Sequence, residues 1–271
     1  MDGGHEWILS IRGDGLSHRG AWSDTRQVRH RFFESTRPLV FAHRGGAALA
    51  PENTMAAFDN GLALGADGLE LDVRLSRDGR VVVHHDGTLD RTTALTGPIG
   101  RRSADELTEA AVPLLSDVLA RHRDARVIIE LKENRPEMAR AVVEVVRGAG
   151  AVERICVGSF GRRVLYAVRA LEPAIATSAA REEVRWALYR SWCRWPVARP
   201  AYDGYQVPEV AGRTRVVSPR FVDDAHAAGL AVQVWTVDTE ADARRLLEWG
   251  VDGLITDRPD VIVPIARRAV A

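Results

Sequence analysis

Lysine is nearly missing from this chain. Of 37 basic residues in 271, only Lys132 is a lysine and the rest are arginines, so the place of that one lysine matters. Cysteine is scarce too. Cys156 and Cys193 share no spacing that a metal site uses, and the simpler reading is two reduced, inert, buried thiols rather than a disulfide. Net charge is absent: Lys plus Arg and Asp plus Glu each number 37, and nothing global draws the chain to nucleic acid or to an acidic partner. No apolar run approaches the ~18 residues of a membrane helix. The opening MDGGHEWILSIRGDG lacks the basic start and sustained apolar run of a signal peptide, so a cytoplasmic location is expected. Repeats and low-complexity tracts are missing as well.

What is present is 46% hydrophobic and 27% charged residues, enough for one large domain, or two small ones, with an ample core. Residues 1 to 36 are mixed in charge and weakly periodic; they read as an N-terminal extension, partly disordered or packed on the outside. From Pro38 a regular pattern begins, and residues 37 to 271 read as one domain. Strands are expected at Leu39–His43, Gly68–Val73, Val127–Lys132, Ile155–Ser159, Ala174–Ser178, Gly204–Val207, Ala231–Thr236 and Gly253–Thr256. Helical segments such as Asn53–Leu64, Glu137–Ala149, Arg162–Leu171, Pro219–Ala228 and Asp238–Trp249 lie between them. Eight strands alternating with helices over about 230 residues predict an α/β fold of the (β/α)8 TIM-barrel type.

One stretch does not fit that alternation. DGLELDVRLSRDGRVVVHHD, residues 67 to 86, has an Asp78-Gly79 turn and reads as an antiparallel hairpin, whereas neighbouring barrel strands need a crossover. Residues 74 to 112 are therefore expected as an insertion after the second strand, over the C-terminal mouth where such barrels keep their active sites. With a two-residue loop, Arg77 pairs with Arg80, Leu75 with Val82, Val73 with His84 and Asp72 with His85. Partners share a face with β-carbons about 5 Å apart, so Glu70, Asp72 and His85 converge while His84 faces away. Buried carboxylates at such density need a partner or a cation.

Other strand ends add to the cluster. In VIIELKEN, Glu130 and Lys132 share the face opposite Leu131, and if that face points inward, Glu130 joins Glu70 and Asp72. Three carboxylates offer hard oxygen ligands to Mg²⁺ or Ca²⁺. Lys132 either holds an anion there or forms a buried ion pair with one carboxylate. His43 and His85 are the acid–base candidates, since imidazole titrates nearest neutrality. Arg44 can grip phosphate oxygens, and Gly45 and Gly46 allow close approach of backbone to an anion. Asn53 or Thr54 supplies a helix N-cap. Glu52 then serves the helix dipole or the site. A cation, an arginine, a lysine and two histidines round one cavity suit phosphate-ester hydrolysis.

The spaced blocks AHRGG, PENT, ELDV, DGRVVVHHD and LDRTT, followed in order by IELK, VWTVD and GVDGLITDRP, resemble the glycerophosphodiester phosphodiesterase family over residues 38 to 262. The resemblance implies a TIM barrel with the hairpin insertion. It implies a divalent metal, Mg²⁺ or Ca²⁺, on Glu70, Asp72 and Glu130, with His43 and His85 as general acid and base. Arg44 and Lys132 would contact phosphate, and Trp235 would line the alcohol pocket. The hairpin puts His85 near the metal ligands and inclines the assignment to His85 as acid and His43 as base. Asp238 stands where the family usually has asparagine, at a position that reads as a helix cap. A second HRG at residues 18 to 20 lacks a preceding apolar strand and is discounted.

The expected partner is a small-molecule glycerophosphodiester. Residues 181 to 200, REEVRWALYRSWCRWPVARP, leave a second choice open. Trp186, Tyr189, Trp192 and Trp195 interleave with Arg185, Arg190, Arg194 and Arg199. Such a segment is an outer barrel helix, an oligomer contact, or a peripheral membrane contact serving a lysophospholipid substrate. A non-catalytic phosphodiester-binding barrel is the rival in a different class, and it has no need of two histidines.

Overall fold

The structure, a computed structural model, describes residues 29–193, 195 and 200–268. The HRG at residues 18 to 20, Arg194 and Arg199 lie outside the described residues. In chain order, β1 (Leu39–His43), α1 (Met55–Ala63), β2 (Gly68–Leu75) and β3 (Val81–Val83) come first. They are followed by α2 (Ala104–Glu109), α3 (Leu115–Arg121), β4 (Arg126–Leu131), α4 (Pro136–Gly148), β5 (Ile155–Gly158) and α5 (Arg162–Leu171). Next come β6 (Ala176–Thr177), α6 (Arg181–Cys193), β7 (Gly204–Pro208), β8 (Val210–Ala211) and β9 (Thr214–Arg215). The chain closes with α7 (Pro219–Ala227), β10 (Ala231–Trp235), α8 (Glu240–Glu248), β11 (Gly253–Thr256) and α9 (Pro259–Arg268).

Eight strands run parallel in the order β6-β5-β4-β2-β1-β11-β10-β7, and a parallel bridge between Ser178 and Gly204 joins the two ends. This is the expected (β/α)8 barrel. Strand alternation divides its core in two. Leu69, Leu71 and Val73 of β2 point outward with Val127 and Ile129 of β4, packed with Met138 and Val142 of α4. Leu39, Phe41, Ile128, Cys156, Ala231 and Ile255 point inward. Phe32 and Phe33, from the segment before Pro38, join that inner cluster and are fully buried. Phe32 stacks on Phe41 at 5.7 Å, and Phe33 lies against Gly204 at the start of β7. Burial of each ring is worth roughly 1.5–3 kcal/mol. The two rings pack into the N-terminal end of the barrel.

The hairpin forms, in a register one residue from the expected one. Val73 pairs with Val83 and Leu75 with Val81. The loop holds three residues, closed by the Ser76 N–H to the Arg80 carbonyl at 3.0 Å, with Gly79 at φ 77°. A left-handed glycine suits that loop as well as a two-residue turn, so Asp78-Gly79 does not select the register. A slip of one residue reverses every side chain in a ladder. His85 reaches the mouth nonetheless, because the ladder ends at Val83 and Arg74 takes the His85 carbonyl through Nε and NH2 at 3.0 and 2.9 Å. His84 is buried away from the mouth on the Thr88 carbonyl. The insertion has its own small core of Val82, Leu89, Ile99, Leu107 and Leu114.

Cys156 and Cys193 are both free, but only Cys156 is buried; Cys193 is exposed at the end of α6, which corrects the expectation of two buried thiols. Among the described residues, no helix is long and apolar enough to cross a membrane.

Candidate active site

One cavity of about 550 Å³ opens at the C-terminal ends of the strands. His43, Arg44, Glu70, Asp72, His85, Glu130, Lys132 and Trp235, the residues singled out from the sequence, all line it. The register of the sheet explains the convergence. His43 sits beside Glu70, and Asp72 beside Glu130, on adjacent parallel strands. After β1 the chain turns sharply: Arg44 takes φ 50°, and a β-carbon on Gly45 would meet Ala57 at 2.7 Å. That close approach brings the Arg44 side chain over the carboxylates.

Asp72 is the best-satisfied carboxylate. Lys132 Nζ lies 2.7 Å from it, Arg44 Nε 3.2 Å, and Asn53 Nδ2 donates at 2.9 Å. Burial would raise its pKa, but the Lys132 charge and hydrogen bond, with Arg44 and Asn53, hold it below the usual carboxylate range. The sole lysine thus forms the buried ion pair that was one of its two readings, while still facing the cavity. Asn53 is no cap; Thr54 accepts the Ala57 N–H and caps α1, leaving Asn53 free to brace Asp72.

Glu70 and Glu130 stand in the opposite condition. Burial, then the Asp72 charge, pushes Glu70 up to about 7. Burial raises Glu130 to about 8, against the pull of Lys132 and with the repulsion of Glu70 and Asp72. A β-carbon at position 158 would lie 2.6 Å from Glu130 Oε2, so Gly158 leaves the space this carboxylate fills. A buried and a half-buried carboxylate, both short of positive charge and beside a third, fit a hard divalent cation. Among the described residues no three His, Cys, Asp or Glu side chains already form a ligand cluster.

Each histidine has a carboxylate behind it. His43 Nδ1 donates to Asp257 at 2.7 Å, and its Nε2 is 3.7 Å from Glu70. His85 Nδ1 donates to Asp86 at 2.6 Å. In both rings this leaves Nε2 as the nitrogen free for chemistry. Burial lowers the His43 pKa, but Glu70 and Asp257 outweigh it and leave the group raised. Burial lowers His85 as well, and Asp86 does not fully offset it. A cation on Glu70 would cancel the lift that Glu70 gives His43, so these directions do not divide the roles of acid and base.

Several of these partners were not singled out from the sequence. Asp86 adjoins His85 in HHD, and Asp257 directly follows the last strand in LITDRP; position just past a strand end was the available signal. Arg91 binds Asp86 through Nε at 2.6 Å and Glu52 through both terminal nitrogens at 2.9 and 2.6 Å. Glu52 in turn accepts from Arg44 at 3.0 Å. A chain of alternating charge therefore runs from His85 to Arg44. Asp238 does not cap α8; Thr239 does, by accepting the Asp242 N–H. Asp238 instead accepts the Asp257 N–H at 2.7 Å and the Thr256 hydroxyl at 3.0 Å, bracing the partner of His43.

The model of the glycerophosphoryl diester phosphodiesterase family matches residues 43–261. The chain belongs to that family. This phosphodiesterase chain is 31% identical over 248 residues to the glycerophosphodiester phosphodiesterase of Caldanaerobacter subterraneus subsp. tengcongensis, covering 85% of this chain and 98% of that protein. The crystal structure of a glycerophosphodiester phosphodiesterase from Agrobacterium tumefaciens superposes with a TM-score of 0.68 at 31% identity, over 84% of this chain and 99% of that one. An Oleispira antarctica phosphodiesterase, solved with the product sn-glycerol-3-phosphate, matches with a TM-score of 0.66 at 27% identity, over 84% and 96% of the two chains. Within the phosphodiesterase barrel, Trp235 meets Phe160 edge to face at 6.1 Å, and the pair walls one side of the cavity.

Proposed function

We propose that the protein hydrolyses glycerophosphodiesters to glycerol 3-phosphate and an alcohol, using a divalent cation, Mg²⁺ or Ca²⁺, held by Glu70, Asp72 and Glu130. The observation that carries this reading is the pair of carboxylate-backed imidazoles opening on one cavity with the acidic cluster. A barrel that only bound a phosphodiester would gain nothing from two oriented imidazoles. The bound product of the Oleispira enzyme supports the same substrate class. When bound, the cation supplies electrostatic stabilisation to the phosphate oxygens. Arg44 and Lys132 hold those oxygens and offset the charge that develops on them. One histidine takes the proton of the nucleophile, water or the glycerol 2-hydroxyl, and the other protonates the leaving alcohol. Trp235 and Phe160 flank the alcohol.

Glu70→Gln and Glu130→Gln test the cation site cleanly. Either change relieves repulsion between buried carboxylates, so the fold should tolerate it, whereas Asp72→Asn would strip Lys132 of its partner. Calorimetric titration of Mg²⁺ or Ca²⁺ should lose its binding isotherm together with activity, at an unchanged melting temperature. Full activity in excess chelator would remove the cation from the account.

A second reading has a specific observation in its favour. Away from the carboxylates the cavity is lined by Ala179, Val184, Val207, Pro208 and Val216. That apolar half suits the chain of a lysophospholipid drawn from a lipid surface touched by residues 181 to 200, with the same bond cleaved.

A further inference from the structure

α6 buries Ala187, Leu188 and Ser191 against the barrel and turns a row of rings to solvent. Trp186, Tyr189 and Trp192 are 64%, 48% and 58% exposed, and Trp195, beyond the helix, is 66% exposed. The three helical rings follow one another at intervals of three residues and meet edge to face, at 6.2 and 5.7 Å. Scattered apolar residues on a surface need no explanation, but a contiguous aromatic row does.

Size and charge decide what covers it. The four rings expose roughly 500 Å², taking ~200 Å² per aromatic side chain. A stable protein–protein contact needs about 800 Å² from each partner, which the row does not supply. Arg185 is exposed beside the rings, and Arg190 lies half-buried at their edge. Glu183, which could neutralise them, is turned inward onto Arg169 at 2.8 and 3.0 Å. Glu182 is the one exposed acid of the helix. Tryptophan and tyrosine, apolar in body and polar at one tip, settle at the headgroup level of a bilayer, and arginine pairs with lipid phosphates.

We infer that this face docks the protein on an anionic lipid surface. The rings of Trp186, Tyr189, Trp192 and Trp195 enter the headgroup layer, and Arg185 and Arg190 meet its phosphates. The same helix supplies Arg181 and Val184 to the cavity, on its apolar side. Docking therefore sets the apolar half of the cavity beside the lipid. The inference draws its purpose from the lysophospholipid reading, but binding itself is measurable without turnover.

The experiment is flotation of the full chain with phosphatidylcholine vesicles, with and without phosphatidylglycerol, across a range of salt. Wild type should float with the anionic vesicles, less with the neutral ones, and less as salt rises. The double variant Trp186→Ser, Trp192→Ser should lower partitioning at least ~tenfold at all salt concentrations, because buried apolar area drives insertion. Arg185→Glu should lower it several-fold at low salt only. Turnover of glycerophosphocholine should be unchanged in both variants, since none of the three substituted residues lines the cavity. No flotation of wild type, or equal flotation of the double variant, overturns the inference. So does a wild-type dimer that the double variant turns into a monomer, which would assign the row to a second copy. If flotation follows the expected pattern but lysophospholipid is not cleaved, the substrate reading fails and the docking face stands.

Discussion

Replacing Asp257 with alanine should slow turnover roughly 10- to 150-fold and leave the barrel folded. The number follows from one contact. Asp257 accepts the Nδ1 proton of His43 at 2.7 Å and so keeps Nε2 turned to the cavity. A hydrogen bond to a charged group is worth ~1.5–3 kcal/mol, and each 1.36 kcal/mol is about tenfold in rate. Stability should barely change, because the Asp257 side chain is 27% exposed and water can replace it at Nδ1. Its backbone N–H remains held by Asp238. The assay is choline release from glycerophosphocholine by wild type, Asp257→Ala, His43→Ala and the double variant. Asp257 acts through His43, so its loss should cost nothing further once His43 is gone. Losses that multiply in the double variant, or full kcat in Asp257→Ala, would refute the reasoning.

An acid matters most where the leaving group is poor, so one of His43→Ala and His85→Ala should largely spare a p-nitrophenyl phosphodiester while losing glycerophosphocholine. The spared variant marks the acid, and equal losses by both variants on both substrates contradict an acid–base pair. Arg91→Gln should lower kcat about tenfold by releasing Asp86 from behind His85, with under ~1 kcal/mol lost in urea unfolding because the pair is half exposed; unchanged kcat would make Arg91 a surface tie. At the other end of the barrel, burial would raise Asp252, but His226 at 2.8 Å, the Val232 N–H at 2.7 Å and Arg29 at 2.6 Å hold it below the ordinary range. A lowered folded pKa gives stability that is complete above the unfolded value of ~3.9 and is lost as pH falls through the folded one. The stability gap between wild type and Asp252→Asn should thus be widest near pH 7 and close below about pH 4; a constant gap in urea titrations would contradict it.

Alternation along short segments was enough to read the barrel and the inward carboxylates. Glu70 and Asp72 declare their face within LELDVR, and Glu130 and Lys132 do so within IELK. What escaped depends on closure or on near-equivalent local chemistry. His43 and Asp257 are 214 residues apart and meet only because β11 lies beside β1. Asn53 and Thr54 are both cap formers, and only the left-handed turn at Asn53, φ 57°, sends its side chain to Asp72. The hairpin register turned on whether Gly79 closed a two- or three-residue loop, which the same residues permit. Phe32 and Phe33 gave no period because they sit in a single short turn, Arg31–Phe33. Residues 181 to 200 left several readings open because the aromatics of α6 face outward, against the usual amphipathic pattern.

Cation-dependent hydrolysis can be followed on glycerophosphocholine with purified protein, first stripped by chelator and then resupplied with Mg²⁺ or Ca²⁺. The stripped protein should give no products, and equal amounts of glycerol 3-phosphate and choline should appear once a cation returns. Undiminished hydrolysis by the stripped protein, or release of glycerol with phosphocholine instead, would contradict cation-dependent hydrolysis to these products.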